Sequence, residues 1–158
     1  MSALRRVNLF SVGADPWEGR PDGYRLALAR LGPQIGAAKV GATVYDLPPG
    51  QSTFPYHYEH GCEEWLLVVA GRPTLRHPGG EDELEPGDLV CFSEGPEGAH
   101  KVTNSTNETA RLVILSTKAS PAVAVYPDSD KIGAFTEDEA DDVMVRRESS
   151  VDYWDREL

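Results

Sequence analysis

The sequence predicts an all-β fold, a sandwich or barrel of short strands. Three observations carry this. Strand-like runs recur at close spacing between residues 37 and 117, and each ends at a Gly, Pro or Asn turn. The chain holds 15 Gly and 12 Pro among 158 residues, which suits a turn-rich β chain and disfavours a helical bundle. No long stretch before the tail shows an apolar period of 3.6 residues.

The elements follow in order. Residues 1–24 contain Gly13, Pro16, Gly19, Pro21 and Gly23 and read as an irregular, extended lead-in with one short edge strand. Residues 25–30 alternate imperfectly. Residues 37–47 read as a strand rich in β-branched side chains, stopped by Pro48-Pro49-Gly50. Between them, Gly32-Pro33-Gln34-Ile35-Gly36 is no phosphate loop, because no helical pattern follows it. Further strands are expected at 54–59, 64–70, 74–77, 81–84, 89–92, 100–104 and 110–117. Gly71, Gly87 and Gly95 read as turn formers between them. Beyond Thr117 the composition shifts. Residues 121–127 read as one more strand, 128–133 as turn or loop, and 142–147 as a last strand. The acidic run 137–142 reads as solvated surface, with Thr136 and Glu139 at the spacing of a helix cap. The expected organisation is a lead-in at 1–24, a barrel at 25–117 and a C-terminal extension at 118–158. Tyr153 and Trp154 are expected to dock that extension on the barrel or on a neighbouring subunit.

The length corresponds to about one domain. With 15 basic and 26 acidic residues the net charge is −11, which argues against nucleic acid and anionic membranes as partners. An anionic ligand would need a local positive centre, and a bound cation supplies one. Cys62 and Cys91 make no disulfide framework. Cys91, between Val90 and Phe92, reads as a small core residue, and Cys62 as a packed thiol. The N-terminal residues lack a signal-like apolar stretch, and no run nears the ~18 apolar residues of a membrane span. The expectation is a cytoplasmic protein.

Three of the four histidines lie in two short stretches, 57–64 and 100–104, beside strand-like runs. In a strand, residues i and i+2 share a face. His57 and Glu59 therefore point one way, and His60 the other unless a bulge intervenes. Glu64 shares a face with Leu66 and Val68, and His100 with Val102 and Asn104. A closed barrel brings His57, Glu59, Glu64 and His100 to one interior point, with His60 and Glu63 as alternative ligands. Two imidazoles with one or two carboxylates suit a divalent transition metal: Fe, Mn, Zn or Ni. His77, beside Pro78-Gly79-Gly80, reads as a turn residue. Tyr56, Tyr58 and Trp65 fit either a pocket wall or sheet packing. No serine nucleophile elbow and no Cys-x-x-Cys pair occurs.

These residues resemble the cupin superfamily, small jelly-roll barrels also described as double-stranded β-helices. The first motif of that family runs from a Gly through His-x-His to a Glu and, after six residues, a Gly. His57, Glu64 and Gly71 match it, whereas Glu59 stands where the second His is usual. An alternative alignment places His60 as the ligand. The second motif is a Gly, a Pro-x-Gly turn, a His and, after three intervening residues, an Asn. Gly87, Pro96-x-Gly98, His100 and Asn104 match it. The resemblance covers roughly residues 25–117. It implies a metal-binding barrel, either a mononuclear metal enzyme (oxygenase, isomerase or lyase) acting on a small oxygenated substrate, or a non-catalytic ligand-binding module with a degenerate or empty site. Glu59 makes the site harder and more anionic, which favours Mn or Fe. The implied partners are a small-molecule ligand and a second copy of the chain.

Overall fold

The computed structural model of the chain describes residues 3–157. Its strands are β1 (Asp15–Pro16), β2 (Ala27–Arg30), β3 (Val40–Leu47), β4 (Tyr58–His60), β5 (Glu64–Ala70), β6 (Thr74–His77), β7 (Gly80–Glu83), β8 (Leu89–Phe92), β9 (Lys101–Thr103), β10 (Ala110–Thr117), β11 (Ala122–Tyr126), β12 (Lys131–Phe135) and β13 (Val143–Arg146). The fold is an all-β barrel of jelly-roll type.

One wall is a six-stranded sheet in the order β1-β2-β3-β10-β5-β8. The other wall is built from the sheets β7-β6-β9 and β13-β12-β11-β4. Single antiparallel bridges, Ser52 to Thr103 and His57 to His100, splice these two sheets together. The expected strand at 54–59 forms a ladder only from Tyr58 onward. Pro55 has no N–H to give to a ladder, so this segment crosses the wall on isolated bridges.

Strand alternation fills the barrel. On β10, Ala110, Leu112 and Ile114 face inward and meet Leu66 and Val68 of β5, Tyr45 and Leu47 of β3, and Val102 of β9. Val113 of the same strand faces outward, yet it is also buried. The lead-in explains this: Val7, Leu9, Val12 and Ala14 pack over Ala29, Leu31, Val44 and Val113. Arg111 pins the lead-in there. Its guanidinium makes two bonds of 2.7 Å to the Asp46 carboxylate and also donates to the carbonyls of Leu9 and Phe10.

Several elements depart from the sequence reading. A single helical turn, α1, spans Gly32–Ile35 and closes on Gly36 at φ 75°. One turn is too short to display a helical period. The segment read as loop at 128–133 holds the start of β12, after a 3-10 turn at Pro127–Ser129. In the acidic run, Asp138 rather than Thr136 caps a 3-10 turn at Glu139–Asp141. Cys91 is exposed rather than in the core, because it alternates with the inward Phe92 on a face of β8 that nothing covers. Val151, Tyr153 and Trp154 are 70%, 83% and 64% exposed, so within one chain they do not dock on the barrel. Among the described residues, no helix is long and apolar enough to cross a membrane.

Candidate metal centre

His57 and His100 form a mutual backbone pair. The His57 N–H donates to the His100 carbonyl at 3.1 Å, and the His100 N–H donates back at 2.8 Å. Directly paired antiparallel residues place their side chains on the same face. The two imidazoles therefore emerge side by side, with ring centroids 4.7 Å apart. Both rings are buried.

Each ring is oriented by the same local device. His57 Nδ1 lies 2.9 Å from the carbonyl of Pro55, and His100 Nδ1 lies 2.9 Å from the carbonyl of Gly98. A carbonyl only accepts, so Nδ1 carries the hydrogen in both rings. In the neutral imidazole this leaves each Nε2 with a free lone pair, the form in which histidine binds a metal. Burial, and then the neighbouring His100, push the His57 pKa below its ordinary value, which favours that neutral form.

Sequence dictates both carbonyl positions. Pro55 fixes the backbone two residues before His57. A 3-10 turn at Pro96–Gly98 does the same before His100. Gly98 must lack a side chain, because a Cβ there would collide with the Ser93 carbonyl. Phe92 stacks on His100 at 3.6 Å between centroids, with the planes 6° apart. Phe92 is also the partner of Glu64 across β8 and β5.

Glu64 opens β5 on its inward face. Its Oε2 lies 3.4 Å from His100 Nε2. One donor atom each from His57, Glu64 and His100 lies within 4.8 Å of the others. A cavity of about 290 Å³ opens beside His57 and Glu64, lined also by Tyr45, Phe54, Glu59, Tyr126 and Phe135. Tyr126 stacks on His57 at 5.7 Å.

The remaining sequence candidates sit differently. Glu59 lines the cavity but stands outside the compact donor group. Burial first, and then the Glu64 charge, raise its pKa. His60 is exposed and lies edge-on to Tyr58. Glu63 faces the outside and accepts a 2.8 Å bond from the Trp65 indole. Cys62 is buried and donates its S–H to the Thr117 carbonyl at 3.0 Å. His77 bonds Asp82 at 2.9 Å on the surface. The aromatic lining from Tyr126 and Phe135 was not picked out from sequence, since both lie beyond the stretch that carries the motifs.

Glu59, Glu64 and the His57 imidazole share this cavity with four aromatic rings. A jelly-roll barrel with such an inward His/Glu/His group defines a class of small metal-binding β-barrels. Residues 43–116 match the Cupin domain family (Cupin_2), and the chain is a small cupin-domain protein. It is similar in structure to a putative sugar phosphate isomerase from Acidithiobacillus ferrooxidans, at TM-score 0.80 and 21% identity over 91% of each chain. It is similar to a cupin-superfamily sugar phosphate isomerase from Silicibacter pomeroyi at TM-score 0.79 and 24% identity, over 95% of this chain and 98% of that one. A polyketide cyclase, RemF, from Streptomyces resistomycificus aligns at TM-score 0.60 and 24% identity, over 76% and 84%. At these identities the likeness concerns the fold. No curated protein matches the sequence.

Proposed function

We propose that this protein is a mononuclear metal enzyme that binds a divalent transition metal through His57 Nε2, His100 Nε2 and a carboxylate oxygen of Glu64. The observation that carries the reading is the pair of Nδ1 anchors on the Pro55 and Gly98 carbonyls, which commits both rings to Nε2 ligation. The donor set fits Mn²⁺, Fe²⁺, Zn²⁺ or Ni²⁺. Three protein ligands leave positions free for substrate, the arrangement of catalytic rather than structural sites. Once bound, the ion supplies Lewis acidity toward the oxygen of a small oxygenated substrate.

The chain's own residues then divide the work. Glu59 stands in the cavity outside the donor group, with its pKa raised by burial, and serves as the group that holds or accepts a proton. Tyr45, Phe54, Tyr126 and Phe135 restrict water around the substrate. Isomerisation is the favoured reaction class. It needs a metal-held oxygen and a nearby base, and two structural relatives that align over more than nine-tenths of this chain carry the names putative sugar phosphate isomerase and sugar phosphate isomerase. The two unpaired cysteines agree with a reducing compartment, the cytoplasm.

Elemental analysis of protein purified without chelator tests the metal. The expected result is about one transition-metal ion per chain, reduced at least tenfold in His57→Ala and His100→Ala. Adding the metal at 100 times its Kd should raise unfolding stability by about 2.7 kcal/mol in wild type and by nothing in the double variant. A metal-free protein whose melting is indifferent to all four ions would sink the proposal.

A further inference from the structure

The chain is strongly acidic, and its cavity already contains two carboxylates, Glu59 and Glu64. Two cations nevertheless lie over aromatic rings that line this cavity. Arg20 comes from the lead-in. Its guanidinium carbon lies 3.9 Å from the Trp17 ring centroid and 5.3 Å from that of Phe54, and Phe54 lines the cavity edge-on to His57. Lys131 comes from the C-terminal extension. Its ammonium lies 5.3 Å from the centroid of Tyr126, the ring stacked on His57.

Strand pairing places Lys131 on the cavity side. Tyr126 pairs directly with Lys131, so their side chains share a face. Phe135, four residues on along β12, is on that same face and lines the cavity. Among the described residues, neither Arg20 nor Lys131 forms an ion pair with a carboxylate. Arg20 makes one side-chain hydrogen bond, from Nη2 to the Thr53 carbonyl at 3.1 Å. Its Nε is buried without a partner. A buried donor left unpaired is destabilising. Holding the lead-in on the barrel accounts for the stem and the stacking on Trp17, but not for the orphan donor.

We propose that Arg20 and Lys131 form an anion-recognition site beside this cavity, and that the substrate carries an oxyanion, a carboxylate or a phosphate monoester. The inference rests on the metal-centre reading of the same cavity. Arg20 presents planar N–H donors to the anion, with the ring faces of Trp17 and Phe54 fixing its plane. Lys131 adds a point charge over the Tyr126 ring. Together they offset the repulsion that a chain of this net charge exerts on an anionic molecule.

Titration calorimetry with glycerol 2-phosphate, glycerate and glycerol tests this on the full chain, with metal content measured on the same samples. Wild type should bind one of the two anions and not neutral glycerol. The tighter anion identifies the substrate's charged group. Arg20→Gln should weaken that anion about tenfold or more, Lys131→Gln by a smaller factor, and Arg20→Lys should recover part of the loss. Metal content should not change in any of them. Failure of both anions to bind wild type overturns the proposal. So does retention of wild-type affinity in folded Arg20→Gln, or in Lys131→Gln and Arg20→Lys if Arg20→Gln fails to fold. A metal-free wild type that still prefers the anion, and loses the preference in Arg20→Gln, overturns the metal reading and leaves this one standing.

Discussion

Asn104 shows how one side chain serves the barrel without serving the cavity. It is fully buried. Its Nδ2 donates to the carbonyls of Leu47 and Glu108, each at 2.7 Å, and its Oδ1 accepts from the backbone and hydroxyl of Thr106. The motif position is therefore a staple for the 104–108 turn. Asn104→Ala should cost about 2–4 kcal/mol, as several buried polar groups lose their partners at once. Chemical denaturation measures that cost, and metal content per folded chain should be unchanged. The two cysteines give a second residue-scale outcome. Burial, followed by the neighbouring Glu59, pushes the Cys62 thiol up to about 12. A group raised from 9.0 stays protonated below that value and loses its preference only as the pH climbs toward 12. Cys91 is exposed. Native protein at pH 8 should therefore show one thiol to a disulfide reagent, and two after unfolding. Fast labelling of both in the native state would contradict the burial of Cys62.

At the scale of elements, legibility followed the turns. β5, β6 and β8 match the sequence reading because Gly and Pro lie in the turns around them, and β10 because an Asn-containing polar turn precedes it. Gly71 is a case in point. It sits at φ 83°, and a Cβ there would lie 2.7 Å from the Ala110 Cα, so the family motif ends on glycine for steric reasons. β12 escaped notice because Gly133 interrupts its alternation and its partners lie outside the motif region. The site was legible in part. His57, Glu64 and His100 share an inward phase that strand alternation alone predicts, whereas separating Glu59 from them required the actual splice of the two small sheets. The lead-in was the least legible element. Its role depends on apolar residues of β2, β3 and β10 that face outward, and a sequence does not say which face is outer. Removing residues 1–14 should uncover Ala29, Leu31, Val44 and Val113 and cost about 3 kcal/mol or more. Arg111→Ala should reproduce part of that loss. By contrast, Arg76→Ala breaks a bidentate but half-exposed pair with Asp128 and should cost under about 1 kcal/mol. Equal losses in the two arginine variants would show that the lead-in contributes little.

For the whole molecule, the exposed apolar surface is unevenly placed. The outer face of the six-stranded sheet is covered by the lead-in on one side only. Val40, Trp65 and Leu89 remain exposed elsewhere on it, and a shallow groove of about 240 Å³ runs among Val40, Trp65 and Leu115. At the other end of the chain, Val143, Met144 and Val145 of the edge strand β13 are exposed, as are Val151, Tyr153 and Trp154. Exposed aromatics near an unpaired strand edge are the material of contacts between copies. Nothing in the barrel rests on Tyr153 or Trp154, so a chain ending at Ser150 should unfold within about 0.5 kcal/mol of the full chain. If these residues serve a homodimer, the full chain sediments as a dimer that dissociates on dilution, and the shortened chain sediments as a monomer at the same concentration. Two monomers would refute the homodimer, and two dimers would move its interface to the uncovered face of the six-stranded sheet. There, Trp65→Ser becomes the decisive variant: it should weaken association without altering the metal centre, because Trp65 and Glu64 lie on opposite faces of β5.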